Sequence, residues 1–333
     1  MSSLKKFIQK GDLSSLRNYL NALSLENAHH LINTPDNHGD TLVHFAARYH
    51  KKDILSFLIE DIGGIVTAVN KHGRQPLHEA IDNFECVKYL CEQNVDINCM
   101  KRGDWTPLMT ASMKGNLSIV KELVKHGVNV NFLNKDGWNS LHLAAKEGHL
   151  DIVIYLHEIS PTLSITPSKS GKLPIHTAAQ CNHSEIVFQL LSSTPNEETK
   201  RYLLMSTDNG GTNLLQNSVT CGNLQMVKRL VDEYDVKIDH KDKLGREAIH
   251  LAAMIGNEEM IRFLLERGAN LNVQDFSDKF TPLHHAAKEG HINIVKYLVN
   301  ACHANTDIKD HHERTVKDVA ILWNRQDIAD ILK

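Results

Sequence analysis

One short line of residues recurs down the chain at nearly constant spacing, and no other feature restricts the fold as strongly. Its fullest copy is Thr281-Pro282-Leu283-His284, and related copies are Leu42-Val43-His44, Pro76-Leu77-His78, Ser140-Leu141-His142, Pro174-Ile175-His176 and Ala248-Ile249-His250. Two copies lack the histidine, Thr106-Pro107-Leu108-Met109 and Thr212-Asn213-Leu214-Leu215, and Thr315-Val316-Lys317-Asp318 closes the series. The first positions fall at 41, 75, 106, 139, 173, 212, 247, 281 and 315, so the interval stays between 31 and 39 residues. A pattern that renews itself in this way specifies a stack of small units, each burying its apolar face against its neighbours.

Each unit has a physical reading. Thr106 or Thr281 caps a helix, and proline follows at the first helical position, where its missing N–H costs nothing. Alanine pairs such as Ala144-Ala145 and Ala286-Ala287 let neighbouring helices approach closely, and Gly115, Gly148, Gly222, Gly256 and Gly290 end the first helix. A second helix has apolar residues at helical spacing, as in Ile119, Val120, Leu123 and Val124. A polar segment, Asn131-Phe132-Leu133-Asn134-Lys135-Asp136-Gly137, leads to the next unit. In length and motif the unit resembles the ankyrin repeat. The resemblance implies an all-α solenoid of helix-turn-helix plus hairpin units, about nine of them, with an N-terminal helical cap.

The expected organisation is a helical cap over residues 1–33, where Leu4, Phe7, Ile8, Leu13, Leu16 and Leu20 keep helical spacing without the motif line, repeats over 34–311, and a degenerate capping repeat over 312–333. The longest interval places a surface insertion around Ser192-Ser193-Thr194-Pro195-Asn196-Glu197-Glu198, and the units read as one continuous array. With 37 Lys and Arg against 40 Asp and Glu there is no overall basic field, so no direct nucleic-acid binding is expected. Six cysteines without a C-x-x-C pair read as reduced thiols. No signal-peptide core and no membrane-length apolar run occurs, and a monomer that does not engage membranes is expected.

The 21 histidines invite a search for chemistry. Those on the motif line should lie about 10 Å apart along the stack, too far to share one metal. The structural alternative is that each imidazole ties its own turn to the next unit by hydrogen bonds. His78-Glu79 begins like H-E-x-x-H, but position 82 is Asp. There is no nucleophile elbow, phosphate-binding loop or dinucleotide fingerprint. The chain is therefore expected to be no enzyme, with no cofactor and no metal.

What remains is surface. The residue preceding each first position is expected at the hairpin tip, and this column includes Arg74, Trp105, Trp138 and Lys172. Tryptophan is enriched among residues that carry binding energy. Trp105 and Trp138, one repeat apart, are either partner contacts or staples folded back over adjacent helices. Residues 101–172 hold nine Lys and Arg against six Asp and Glu, a mild hint of an acidic partner surface.

Within the ankyrin family, residues 97–110 and 134–142, with Ile261-Arg262-Phe263-Leu264 and Ala286-Ala287-Lys288-Glu289-Gly290-His291, resemble a narrower group. That resemblance implies a cytoplasmic and nuclear protein bound to alanyl-tRNA synthetase, where lysines accept misactivated serine as a safeguard of translation fidelity. The three acceptor positions fall on Arg102, Lys135 and Ile165, so Lys135 alone keeps the amine. The rival expectation is a plain adaptor with an unrelated protein partner and no acyl-acceptor chemistry.

Overall fold

Residues 2–93 and 95–332 are described by the computed structural model. Among the described residues the protein is all-helical, with 22 α-helices arranged largely as repeated helix pairs. Among the described residues there is no strand, only isolated bridges at Lys101–Trp105 and Thr207–Asn213. The projecting segments are therefore chains of turns. Two compact units are present, Met1–Lys169 and Ser170–Lys333.

In the first unit Ser2–Lys10 pairs with Leu13–Asn21, Leu42–Arg48 with Lys52–Ser56, Pro76–Glu79 with Phe84–Glu92, Pro107–Lys114 with Leu117–Lys125, and Ser140–Glu147 with Leu150–Ile159. In the second, Pro174–Gln180, Leu214–Thr220, Ala248–Met254, Pro282–Glu289 and Val316–Leu322 are each followed by a partner helix in the same way. The caps form as their residue types dictate. Thr106 Oγ1 accepts the Met109 amide at 3.2 Å, and Gly115 ends that helix with φ at 78°. Consecutive first helices pack through fully buried alanines, including Ala144, Ala145, Ala252 and Ala286. Leucines on the same layers, such as Leu141 and Leu283, are buried and each contributes about 1.5–3 kcal/mol.

Two departures from the simple repeat have the same form. Leu25–Asn33 and Glu197–Met205 are additional helices inserted before a finger, capped by Ser24 (3.3 Å to Asn27 N) and Asn196 (2.9 Å to Thr199 N). The residues expected as a surface insertion near 192–200 are thus partly an ordered helix, pinned by the buried Leu203. The register of the next unit shifts with it: the cap is Asn213, one residue later than the sequence pattern places it.

Candidate functional site

Most projecting fingers begin with an Asn or Asp whose side chain organises the turn. Asn134 Oδ1 accepts the amides of Asp136 and Trp138, both at 2.9 Å, while the Asn134 amide donates to the Trp138 carbonyl. Asp36, Asn70, Asp208, Asp242 and Asp310 repeat this geometry. A carboxylate or amide oxygen is needed because these amides project where no helix can accept them.

Adjacent fingers then join through backbone bonds. In the first unit Lys71 N donates to His38 O (2.9 Å), Arg102 N to His72 O (3.4 Å), Lys135 N to Gly103 O (2.9 Å) and Lys169 N to Asp136 O (3.0 Å). In the second the rungs are Asn209 N to Ser170 O (2.8 Å), Lys243 N to Gly210 O (2.9 Å), Phe276 N to Leu244 O (2.7 Å) and His311 N to Asp278 O (2.8 Å). Within each unit these rungs tie neighbouring finger backbones together, so the tip side chains are presented from a hydrogen-bonded row.

The motif histidines form a second tie. His44 Nδ1 accepts the Thr41 amide at 3.2 Å, and its Nε2 lies 3.0 Å from the Arg74 carbonyl. His78 joins the Gln75 amide (3.1 Å) to the Trp105 carbonyl (3.3 Å), and His250 joins the Glu247 amide (3.0 Å) to the Val273 carbonyl (3.1 Å). An Nδ1 that accepts and an Nε2 that donates require the neutral Nε2–H tautomer. Burial favours that form, lowering the pKa of His78, His176, His250 and His284 to about 4 and that of His44 below its ordinary value. His284 keeps the inner bond to Thr281 N (3.2 Å), but its buried Nε2 has no hydrogen-bond partner among the described residues. The structural account of the motif histidines therefore holds at His44, His78 and His250. No group of three or more metal-capable side chains forms among the described residues. His149 and His291 have a role the sequence reading missed: their Nε2 atoms donate to the carbonyls of Met113 (3.0 Å) and Met254 (2.9 Å). Each imidazole closes over the glycine ending the preceding first helix, Gly115 or Gly256. Their only sequence signal is a place directly after the next unit's glycine, as in Gly148-His149.

The column expected at the hairpin tips requires correction. Trp138 closes its turn by accepting the Asn134 amide, and Trp105 and Arg74 do the same for Lys101 and Asn70. They stand at the base of each finger, and the tips are occupied by residues two to four positions earlier. Trp138 is half-buried, its ring stacked on His142 with centroids 5.8 Å apart. Trp105 is half-buried against Gly103, with the Lys101 amine 5.5 Å from its ring. Arg74 pairs with Glu79 at 3.4 Å, and the Lys172 amine lies 2.6 Å from Gln180 Oε1. The two tryptophans do not stack on one another, since each turns onto its own repeat.

Lys135 is exposed at a tip, and the ladder sets it one finger from Arg102 and one finger from Lys169. Ile165 is not a tip residue; it ends the short helix Pro161–Ile165, half-buried. Of the three acceptor positions, the structure places only Arg102 and Lys135 in equivalent sites.

Comparison with known proteins agrees with this architecture. Residues 8–101, 95–166 and 175–275 match the family described as ankyrin repeats in three copies, and residues 256–299 match ankyrin repeats in many copies. The chain is similar to the probable 26S proteasome regulatory subunit p28 of Saccharomyces cerevisiae, at 26% identity over 48% of this chain and 84% of that protein. It is similar to the NAD-dependent deacetylase sir2B of Dictyostelium discoideum, at 25% identity over 80% of this chain and 30% of that protein. The ankyrin repeat and SAM domain-containing protein 6 of Rattus norvegicus is 31% identical over 33% of this chain and 12% of its own length. Apart from p28, the chain spans less than a third of the length of these relatives. No helix among the described residues is long and apolar enough to cross a membrane.

Proposed function

The chain belongs to the ankyrin repeat family, and on that premise we propose that it is a protein-binding module whose contact edge is the row of fingers. The observation that carries this reading is the ladder of backbone bonds between turns, which holds tip side chains such as Lys135 exposed on a fixed frame. Such preorganisation lowers the ordering cost of association. Arg74, Trp105, Trp138 and Lys172 form the inner margin of that edge in this proposal, the half-buried rings offering their remaining faces to a partner.

The finer proposal is co-regulation of alanyl-tRNA synthetase proofreading in the cytoplasm and nucleus. Its support is the likeness of residues 97–110 and 134–142 to ankyrin repeat domain-containing protein 16, together with the exposed amine of Lys135. In the reaction the deprotonated Nζ attacks the carbonyl carbon of seryl-adenylate, an amide bond forms, the bond to the phosphate oxygen breaks, and AMP leaves. The amine proton passes to solvent. Incubation with alanyl-tRNA synthetase, serine and ATP should add one seryl group to the peptide containing Lys135, and Lys135→Arg should abolish it. A stable complex with no seryl addition on any lysine refutes the acceptor chemistry. Affinity capture that recovers other proteins without the synthetase favours the plain adaptor.

A further inference from the structure

Most tips that carry the ladder rungs are polar or glycine, as at His38, His72, Asp136, Ser170 and Gly210. The fingers at 242–246 and 275–280 differ. Leu244 is 46% exposed and Phe276 is 65% exposed, and they occupy consecutive tips. The second of these fingers is one residue longer than the others: Asp275 donates its amide to the carbonyl of Phe280, five residues on, and its side chain accepts the amides of Asp278 and Phe280, both at 3.1 Å. Phe276 takes the same rung position as Lys71, Lys135 and Lys243 in the other fingers, but it places a ring there. The Phe276 amide donates to Leu244 O at 2.7 Å, and its ring lies on Gly245, where a side chain would collide with it. The ring is thus seated against Gly245 while most of its surface faces solvent, a costly arrangement for an aromatic side chain with no covering partner.

Several lysines stand around this pair. The Lys241 amine stands 5.1 Å from the Phe276 ring, and its nearest carboxylate, Glu247, is 3.8 Å away. Lys243 and Lys279 are exposed and form no ion pair among the described residues. Asp242, the acidic residue of the first finger, is already neutralised by Arg246 at 2.7 Å. Lys241, Lys243 and Lys279 thus accompany the two apolar tips along the fingers, with the half-exposed Asp278 and the exposed Asp239 as further carboxylates beside Glu247.

We propose that Leu244 and Phe276, framed by Lys241, Lys243 and Lys279, bind an acidic protein segment that inserts apolar side chains between the two tips. This rests on the protein-binding reading and gives it a location and a partner chemistry separate from the tryptophan and Lys135 region. The ring seated on Gly245 supplies the anchor and the ammonium groups supply steering and register. A protein segment fits better than a nucleic acid because the chain as a whole carries a net charge of −3 and the basic groups are local.

The test uses the full chain and a fluorescent synthetic peptide of glutamates interrupted by leucines. Controls are a glutamate-only peptide, a peptide with lysines in place of the glutamates, and a single-stranded oligonucleotide. The glutamate–leucine peptide should bind, more weakly as salt is raised. Phe276→Ala and, independently, the pair Lys243→Glu with Lys279→Glu should each weaken it by about tenfold or more at an unchanged melting temperature. The proposal is overturned if the glutamate-only or lysine peptide binds as well, if the substitutions leave binding intact, or if no peptide binds. Binding of the oligonucleotide with the same dependence on Phe276 would overturn it in favour of a nucleic-acid site. If no peptide binds while affinity capture still recovers a protein partner, the site fails and the broader reading stands.

Discussion

In the repeat that begins at Asn213 an amide does what an imidazole does in the repeat that begins at Glu247. Gln216 Oε1 accepts the Asn213 amide at 3.1 Å, and its Nε2 donates to the carbonyls of Arg246 (2.7 Å) and His240 (3.2 Å). His250 accepts from Glu247 N and donates to Val273 O. The position requires one acceptor facing its own turn and one donor facing the next finger, and either planar side chain supplies both. The difference is that glutamine has no proton to gain. That contrast identifies the motif histidines as neutral structural links, and it predicts how the repeats should separate under acid.

The largest expected effect is therefore on stability against pH. His78, His176, His250 and His284 titrate at about 4 in the fold, whereas an unfolded histidine titrates near 6.5. Between these values the unfolded chain takes up protons that the folded chain refuses. Their stabilising contribution is thus complete above about pH 6.5 and is lost as the pH falls toward 4. Each histidine forfeits on the order of 3 kcal/mol across that window. Chemical denaturation from pH 7.5 to 4.5 should show a steep decline, and His250→Gln should make it shallower. A flat profile above pH 5 would show that the folded imidazoles take up protons as readily as unfolded ones, breaking the equivalence with Gln216.

Next in size is removal of the link itself. His250→Ala strands the Glu247 amide and the Val273 carbonyl in a buried setting, at a cost of about 1–3 kcal/mol for each group left unpaired. His250→Gln should recover most of that loss at neutral pH, because Gln216 already makes both bonds. Equal destabilisation by alanine and glutamine, measured by thermal unfolding, would mean that packing rather than hydrogen bonding holds the position.

A third comparison sets Gly245 against Gly127. Both have positive φ, at 76° and 82°, so alanine at either bears the left-handed cost of about 1–2 kcal/mol. Around Gly127 an added methyl meets nothing within 4 Å, while at Gly245 it would strike the Phe276 amide and ring. Gly245→Ala should therefore destabilise by more than Gly127→Ala and should also displace Phe276. Equal melting temperatures for the two variants would refute the close seating of the ring.

Such seating could not be read from the sequence, although much else could. The period revealed the first helices because Thr106, Pro107 and Gly115 each have a single local use there. The histidine ties were legible for a similar reason: a polar residue recurring at a buried helical position must satisfy a recurring backbone group. The finger tips were not, since which residue projects depends on the Asx turn beginning at Asn134 or Asp242, and the column counted back from the helix cap falls at the base. The additional helix Glu197–Met205 was hidden because its only strong local signal, the cap at Asn196, sits among loop-forming residues. Phe276 was missed because the column counted back from the Thr281 cap falls on the base of the finger and passes over the tip.

The smallest expected effect concerns the tryptophans at the base of the fingers, which contrast with Phe276 at a tip. Trp138 stacks on His142 and Trp105 covers Gly103, both half-buried, whereas Phe276 rests on Gly245 with most of its ring exposed. Ring contacts of this kind contribute about 0.5–1.5 kcal/mol beyond buried area. Trp138→Ala should consequently lower the melting temperature slightly, whereas Phe276→Ala should not. If the Trp105→Ala and Trp138→Ala pair also weakens a partner complex by about 2 kcal/mol or more, the rings act as both staple and anchor. Undiminished binding with a lower melting temperature would assign them to the fold alone and leave partner contact to the tips.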